Sequence, residues 1–138
     1  MYLDTCVLAK LFVLEPDSET CIARTVGSTL VSSEVAYAEI FSVLLRKERE
    51  GEISAVQRDA NWAKFESRIK DETLNLVPLD HAVVQKAKDL MLDVHPHTPL
   101  RTLDAIHLAS YLSAFTGPLF TTDRRMRAAA AFLEIPLV

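Results

Sequence analysis

The chain has 138 residues, which is enough for one domain with a single hydrophobic core and too few for two ordinary domains. Hydrophobic residues make up 49% and charged residues 25%, so the composition excludes a disordered chain, and no apolar run approaches the roughly 20 residues that cross a membrane. A formal net charge of −4 excludes nucleic-acid binding through bulk positive charge, so any such contact has to be local.

The apolar pattern alternates between short β-like runs and longer helical stretches, which predicts an α/β fold with a mostly parallel sheet. Along the chain we predict five strands, near residues 1–4, 29–32, 74–78, 118–122 and 135–138. Helices are predicted near residues 6–14, 18–26, 33–50, 54–71, 80–93, 103–115 and 124–133. No repeat or linker-like tract interrupts this order, so we expect residues 1–138 to form a single domain.

The two cysteines and the first residues indicate the compartment. Cys6 and Cys21 are expected to be small buried thiols rather than a disulfide pair, because a domain of this size has core enough without one. The start of the chain lacks the basic region and long apolar run of a secretory signal. We therefore expect a cytoplasmic protein.

Four acidic residues lie where an α/β domain normally places apolar or neutral side chains. Asp4 and Asp123 end the first and fourth predicted strands. Glu39 and Asp104 interrupt the apolar faces of two predicted helices. Ligands bind at the carboxyl ends of parallel strands, so the four acids could converge there. Their repulsion would then raise their pKa values unless a cation intervenes.

An all-carboxylate set selects a hard cation, Mg²⁺ or Mn²⁺, over zinc. One or two such ions can generate hydroxide from water and stabilise the leaving oxygen of a phosphodiester, so the predicted reaction is hydrolytic cleavage. The alternative is that the acids are helix caps and salt-bridge partners, for example Asp104 with Arg101.

Other kinds of site lack their residues. Only three glycines occur, so neither a phosphate-binding loop nor a dinucleotide turn can be assembled. The cysteines and histidines are not at zinc-ligand spacing, and no serine sits in a GxSxG elbow. His107, one turn from Asp104, could hold a carboxylate or a phosphate or could be an ordinary structural histidine.

Two basic clusters and one aromatic stripe offer local binding surfaces. We interpret residues 46–49 as the solvated end of a helix, where cations complement the dipole. Arg124, Arg125 and Arg127 would instead start a helix, where the dipole disfavours cations, so a nearby anionic ligand would explain them. The aromatic stripe at residues 62–69 is interpreted as core or an oligomer contact.

The segments around the four acids resemble the motifs of PIN-domain ribonucleases, and more closely those of VapC-type toxins of toxin–antitoxin pairs. The resemblance spans nearly all of the chain and rests on four segments in order: Tyr2-Leu3-Asp4-Thr5-Cys6-Val7-Leu8, Ala38-Glu39-Ile40, Leu103-Asp104-Ala105-Ile106-His107-Leu108-Ala109 and Thr121-Thr122-Asp123-Arg124-Arg125. It implies a PIN-like three-layer α/β/α fold with a sheet of about five strands.

The resemblance also implies the chemistry and the partners. Asp4, Glu39, Asp104 and Asp123 would be the metal-binding catalytic acids, with Thr121 as a supporting hydroxyl. A Mg²⁺- or Mn²⁺-dependent endoribonuclease acting on RNA, a homodimer and a cognate VapB-type antitoxin are implied as well. Cys6 departs from the family, which commonly has Ser or Thr there.

Two alternatives to a toxin nuclease remain open. One is a catalytically silent module that binds RNA or protein; the other is an RNA-processing nuclease without an antitoxin. Arg124 or Arg125 would contact substrate phosphate in the leading hypothesis.

Overall fold

The computed structural model describes residues 1–138 and contains four strands and seven helices. In chain order they are β1 (Tyr2–Leu3), α1 (Thr5–Ala9), α2 (Ser18–Thr25), β2 (Leu30–Ser33), α3 (Val35–Arg49), α4 (Ala55–Lys70), β3 (Leu74–Val77), α5 (His81–Asp93), α6 (Thr102–Ala114), β4 (Leu119–Phe120) and α7 (Arg124–Phe132). The strands form one sheet in the order β3-β2-β1-β4, and all neighbouring pairs are parallel. None of the helices is long and apolar enough to cross a membrane.

The sheet separates two apolar cores, as its first strand shows. Successive strand residues point to opposite faces, so Tyr2 packs with α5, α6 and α7 while Leu3 packs with α1, α3 and α4. Both side chains are fully buried. The predicted α/β/α layering is confirmed, and the strands' carboxyl ends meet along one edge.

A glycine turn ends α3 and directs the chain back along it. Gly51 has φ of 74°, a conformation that favours glycine, and its N–H bonds to the Glu48 carbonyl at 3.0 Å. The N–H of Glu52 bonds to the Lys47 carbonyl at 2.9 Å, which completes a Schellman motif. The turn also brings the Glu52 carboxylate to 2.7 Å from the Lys47 ammonium.

Two predicted elements are shorter in the structure. The first helix ends at Ala9 rather than near residue 14, because the next amides bond three residues back and tighten the chain into turns. The strand predicted at 135–138 is reduced to one bridge between Leu119 and Leu137. Pro136 has no N–H to donate, which keeps this edge short. The sheet therefore has four strands instead of about five.

Candidate active site

Asp4 and Asp123 each follow a strand and cap the helix that begins next. Asp4 Oδ1 accepts from the Val7 amide at 2.9 Å. Asp123 Oδ1 accepts from the amides of Arg125 and Met126 at 2.8 and 3.0 Å. These bonds satisfy amides that a helix leaves without partners at its start. The capping role considered for these acids is therefore real, and it holds both carboxylates at the same edge of the sheet.

Thr121 connects the two strand-end acids. The parallel pairing of Leu3 with Phe120 places Thr121 beside Asp4. The buried Thr121 hydroxyl donates a short hydrogen bond to Asp4 Oδ2 and accepts one from the Asp123 amide at 3.1 Å. A hydroxyl can donate one bond while accepting others, so Thr121 fixes Asp4 and is itself fixed by the Asp123 backbone.

Glu39 is held from the side by a hydroxyl and an imidazole. Its Oε2 accepts from the Thr5 hydroxyl at 2.5 Å and lies 2.9 Å from His107 Nε2. His107 is buried, and its Nδ1 lies 3.2 Å from the Tyr2 hydroxyl. Burial pushes the pKa of Glu39 up, but the bonds with His107 and Thr5 outweigh it and leave the pKa below its ordinary value. Glu39 is therefore held in its ionised form.

Asp104, in the first turn of α6, has the least satisfied carboxylate. Its Oδ2 is buried and has no hydrogen-bond partner. Burial and, to a smaller extent, repulsion from Asp123 raise the pKa of Asp104. Arg101 and His107 lower this pKa by less, so it lies above its ordinary value. A buried carboxylate oxygen without a partner costs free energy of folding. A hydrogen-bond donor or a cation at this position would therefore stabilise the protein.

The Cys6 thiol lies within electrostatic reach of all four acids. Desolvation first, and then Asp4, Asp123, Asp104 and Glu39 in falling order, raise the pKa of its thiol to about 12. The pKa of Asp4 is itself raised by burial, with a further contribution from Asp123. The negative charges of all four sequence-predicted acids therefore act on the Cys6 thiol.

The chemistry of this donor set fits a hard divalent cation. The protein's bonds to Glu39 and Asp123 use one oxygen of each carboxylate, which leaves the second oxygen free for a ligand. The orphaned Asp104 oxygen and the raised pKa values indicate negative charge without compensation. As they stand, no three acids, histidines or cysteines are arranged around a single ion.

A cavity of about 460 Å³ is lined by Glu39, though not by the other three acids. Thr5, Cys6, Lys10 and Arg46 also contribute to its wall. Acidic and basic side chains therefore share one concave surface.

Several interpretations of single residues need correction. Cys6 is exposed on the cavity, whereas Cys21 is buried as expected, and both thiols are free. Lys47, interpreted as part of a solvated helix end, is buried and paired with Glu15 and Glu52. The positive charge of Lys47 is therefore paired with carboxylates of the protein.

His107 and Thr5 both contact Glu39, and the sequence had suggested a carboxylate partner for His107 but no role for Thr5. His107 was considered as a residue that could hold a carboxylate, and the carboxylate it contacts lies on another helix. Thr5 directly follows Asp4, and this position next to a predicted site acid was the one feature of the sequence that pointed to its hydroxyl. The structure thus adds two side chains that position Glu39.

Comparison with known proteins gives consistent results. The family model for the PIN domain matches residues 1–131. The chain is 34% identical over 142 residues to Ribonuclease VapC46 of Mycobacterium tuberculosis (strain ATCC 25618 / H37Rv), covering 100% of this chain and 95% of that protein. The crystal structure of FitAcB from Neisseria gonorrhoeae superposes with a TM-score of 0.71 at 14% identity, covering 99% of this chain and 94% of that one. At 14% identity, the similarity to the FitAcB structure shows a shared fold alone.

Proposed function

This chain belongs to the PIN-domain family, and we propose that it is a divalent-metal-dependent endoribonuclease that serves as the toxin of a VapBC-type toxin–antitoxin pair. The similarity to Ribonuclease VapC46 over the whole chain supports the ribonuclease and toxin parts of the proposal. The observations that support the chemistry are the orphaned buried oxygen of Asp104 and the strand-end acids Asp4 and Asp123, which Thr121 joins at one edge of the sheet.

In this proposal Asp4, Glu39, Asp104 and Asp123 hold Mg²⁺ or Mn²⁺. When bound, such an ion activates water and stabilises developing charge on the phosphodiester. The supporting side chains act on the acids: Thr121 orients Asp4, and Thr5 and His107 keep Glu39 ionised and in place. A preset geometry of this kind reduces the reorganisation needed during the reaction.

We also propose that the protein acts in the cytoplasm, forms a homodimer and is bound by a VapB-type antitoxin. An aromatic cluster on α3 and α4, in which Tyr37 and Phe41 are exposed and Trp62 is partly buried, supports a protein contact. Tyr37 and Phe41 are 42% and 37% exposed, which is unusual for neighbouring aromatic side chains in an isolated domain. Size-exclusion chromatography with light scattering tests the dimer, and co-purification with the protein encoded beside this gene tests the antitoxin.

The central experiment measures cleavage of an RNA panel by the purified protein with Mg²⁺ or Mn²⁺, and again with EDTA. Asp104→Asn is expected to reduce cleavage at least about 100-fold, because it removes a charge from the ion's position. Asp93→Asn, an exposed acid at the end of α5, is the matched control and is expected to cleave normally.

Cleavage that survives EDTA or Asp104→Asn would contradict the proposed site. Tight RNA binding without any cleavage would instead support a silent binding module.

A further inference from the structure

Two cations line the cavity next to the acids, and neither is among the arginines expected there. Lys10 and Arg46 both contribute to its wall, whereas Arg124 and Arg125 do not. Arg127 donates to the carbonyls of Thr121 and Val138, which ties the last helix to the sheet edge. The cationic part of the site therefore comes from α3 and from the residue that directly follows α1.

Lys10 is a fixed cation in this wall. Its side chain is only 10% exposed, and its ammonium lies 2.5 Å from Asp17 and 3.5 Å from the Thr122 hydroxyl. Burial lowers the pKa of Lys10, but the bond to Asp17 outweighs this effect and the pKa lies above its ordinary value. An ammonium has three protons to donate, so after these two contacts one donor remains for a ligand.

Arg46 is a second and less engaged cation. It lies seven residues after Glu39 on α3, which is two turns along the same face and about 10 Å along the axis. Its only ion pair is with Glu50 at 3.8 Å, where both side chains are about half-exposed. Such an exposed pair contributes little, so the guanidinium can exchange Glu50 for a better anion.

The acids that share the cavity with these cations already have partners. Glu15 lies 3.4 Å from the buried Lys47, and Glu39 is bonded to Thr5 and His107. The carboxylates of Glu15 and Glu39 therefore do not form ion pairs with Lys10 or Arg46. The cavity that Glu39 lines therefore offers Lys10 and Arg46 to a neighbouring phosphate of a bound RNA strand.

We infer that Lys10 and Arg46 form a backbone-phosphate site that holds the RNA strand beside the scissile position. The assignment rests on the proposed nuclease function for the identity of the strand. One phosphate lies at the acids, and a neighbouring phosphate is bound by the ammonium of Lys10 and the guanidinium of Arg46. These contacts position the strand without reading its sequence.

The test measures binding of a fluorescein-labelled single-stranded RNA by anisotropy, in EDTA and over a range of salt concentrations. Lys10→Gln and Arg46→Gln are each expected to weaken binding up to about tenfold at low salt. Each is also expected to reduce the slope of log K against log salt by about 0.7, the value for one single-strand phosphate contact. Arg49→Gln removes the same charge from an exposed residue one turn further along α3 and is expected to change neither quantity.

Several results would overturn the assignment. They are an unchanged slope in Arg46→Gln, an equal change in Arg49→Gln, and no measurable RNA binding by any form. If the two variants lose binding of a labelled Asp- and Glu-rich peptide but keep RNA binding, the cations serve a protein partner and the inference is wrong. Should Lys10→Gln fail to fold because Asp17 loses its partner, Arg46→Gln decides the question alone.

The proposed nuclease function is judged separately, by cleavage with Mg²⁺ or Mn²⁺. If the two variants reduce the salt slope of RNA binding but the wild type cleaves no RNA, the phosphate site stands and the nuclease function is refuted. If the wild type cleaves RNA but the variants leave the salt slope unchanged, the nuclease function stands and the phosphate site is refuted.

Discussion

Replacing Thr121 by valine removes one hydroxyl that serves two acidic residues. Valine keeps the shape of the side chain but cannot donate to Asp4 or accept from the Asp123 amide. The bond to an ionised carboxylate is worth about 1.5–3 kcal/mol and the bond from a neutral amide about 0.5–1.5 kcal/mol. Both lie in buried surroundings, so we expect Thr121→Val to lower the free energy of unfolding by about 2–4 kcal/mol.

The loss has a defined pH dependence. The Thr121 bond lowers the pKa of Asp4 against the larger effect of burial, so its removal raises that pKa further. The bond favours the ionised carboxylate, so its contribution is present while Asp4 is charged and is lost as the pH falls and Asp4 takes up a proton. At low pH only the part due to the Asp123 amide is expected to remain.

Urea denaturation of the metal-free protein at several pH values measures this effect. Thr122→Val is the matched control. The side chain of Thr122 is exposed, and its hydroxyl makes a single long contact, 3.5 Å from the Lys10 ammonium. Thr121→Ser keeps the hydroxyl and is expected to retain most of the stability. Equal free energies of unfolding for Thr121→Val and Thr122→Val at neutral pH would refute the reasoning.

Three further predictions concern the acids. Asp104→Asn is expected to stabilise the metal-free protein at neutral pH by about 1 kcal/mol, because it removes a charge whose oxygen is buried without a partner; urea denaturation that shows a loss instead would contradict this. The folded-state pKa values of Asp4 and Asp104 are raised, so the native state binds more protons than the unfolded state above about pH 4, and their contribution to stability falls as the pH rises through that window. The stability difference between wild type and Asp104→Asn should therefore disappear in acid, and a difference that persists there would refute the assignment of the charge. His107→Phe removes a bond to Glu39 and is expected to weaken Mn²⁺ affinity about 10- to 100-fold in calorimetry, whereas His81→Phe, at an exposed position, is expected to leave it unchanged.

The sequence predicted those parts of the site that depend on strand ends and helix faces. Asp4 and Asp123 end apolar strand-like runs, and parallel strands bring such ends together whatever the loops do. Thr121 lies beside them through the register of the sheet. The placement of Asp4, Thr121 and Asp123 together therefore follows from patterns that a single sequence carries, whereas a metal site formed by all four acids stays a prediction.

The features that were missed or mispredicted depend on turns and long-range pairing. Lys10 lies in an apolar run and was not singled out, because its ion pair requires both the early end of α1 at Ala9 and a partner, Asp17, just before the next helix. Lys47 is buried because the Gly51 turn folds Glu52 back onto α3. No local pattern marks either event.

Cys6 was mispredicted for a related reason. A free cysteine is usually buried, yet as the second residue of α1 Cys6 lies on the side of the helix that forms the cavity wall. The direction of a residue in the first turn of a helix depends on how that helix packs, and α1 is only five residues long.

Calorimetric titration of Mn²⁺ into the metal-free protein tests most directly whether the four carboxylates form one cation site. The wild type is expected to bind Mn²⁺, because a cation would compensate the charge of the buried Asp104 oxygen that has no partner. Replacement of any one of Asp4, Glu39, Asp104 or Asp123 by its amide is expected to weaken binding at least tenfold, and Asp93→Asn to leave it unchanged. Mn²⁺ binding of undiminished affinity in the four amide variants would contradict the account.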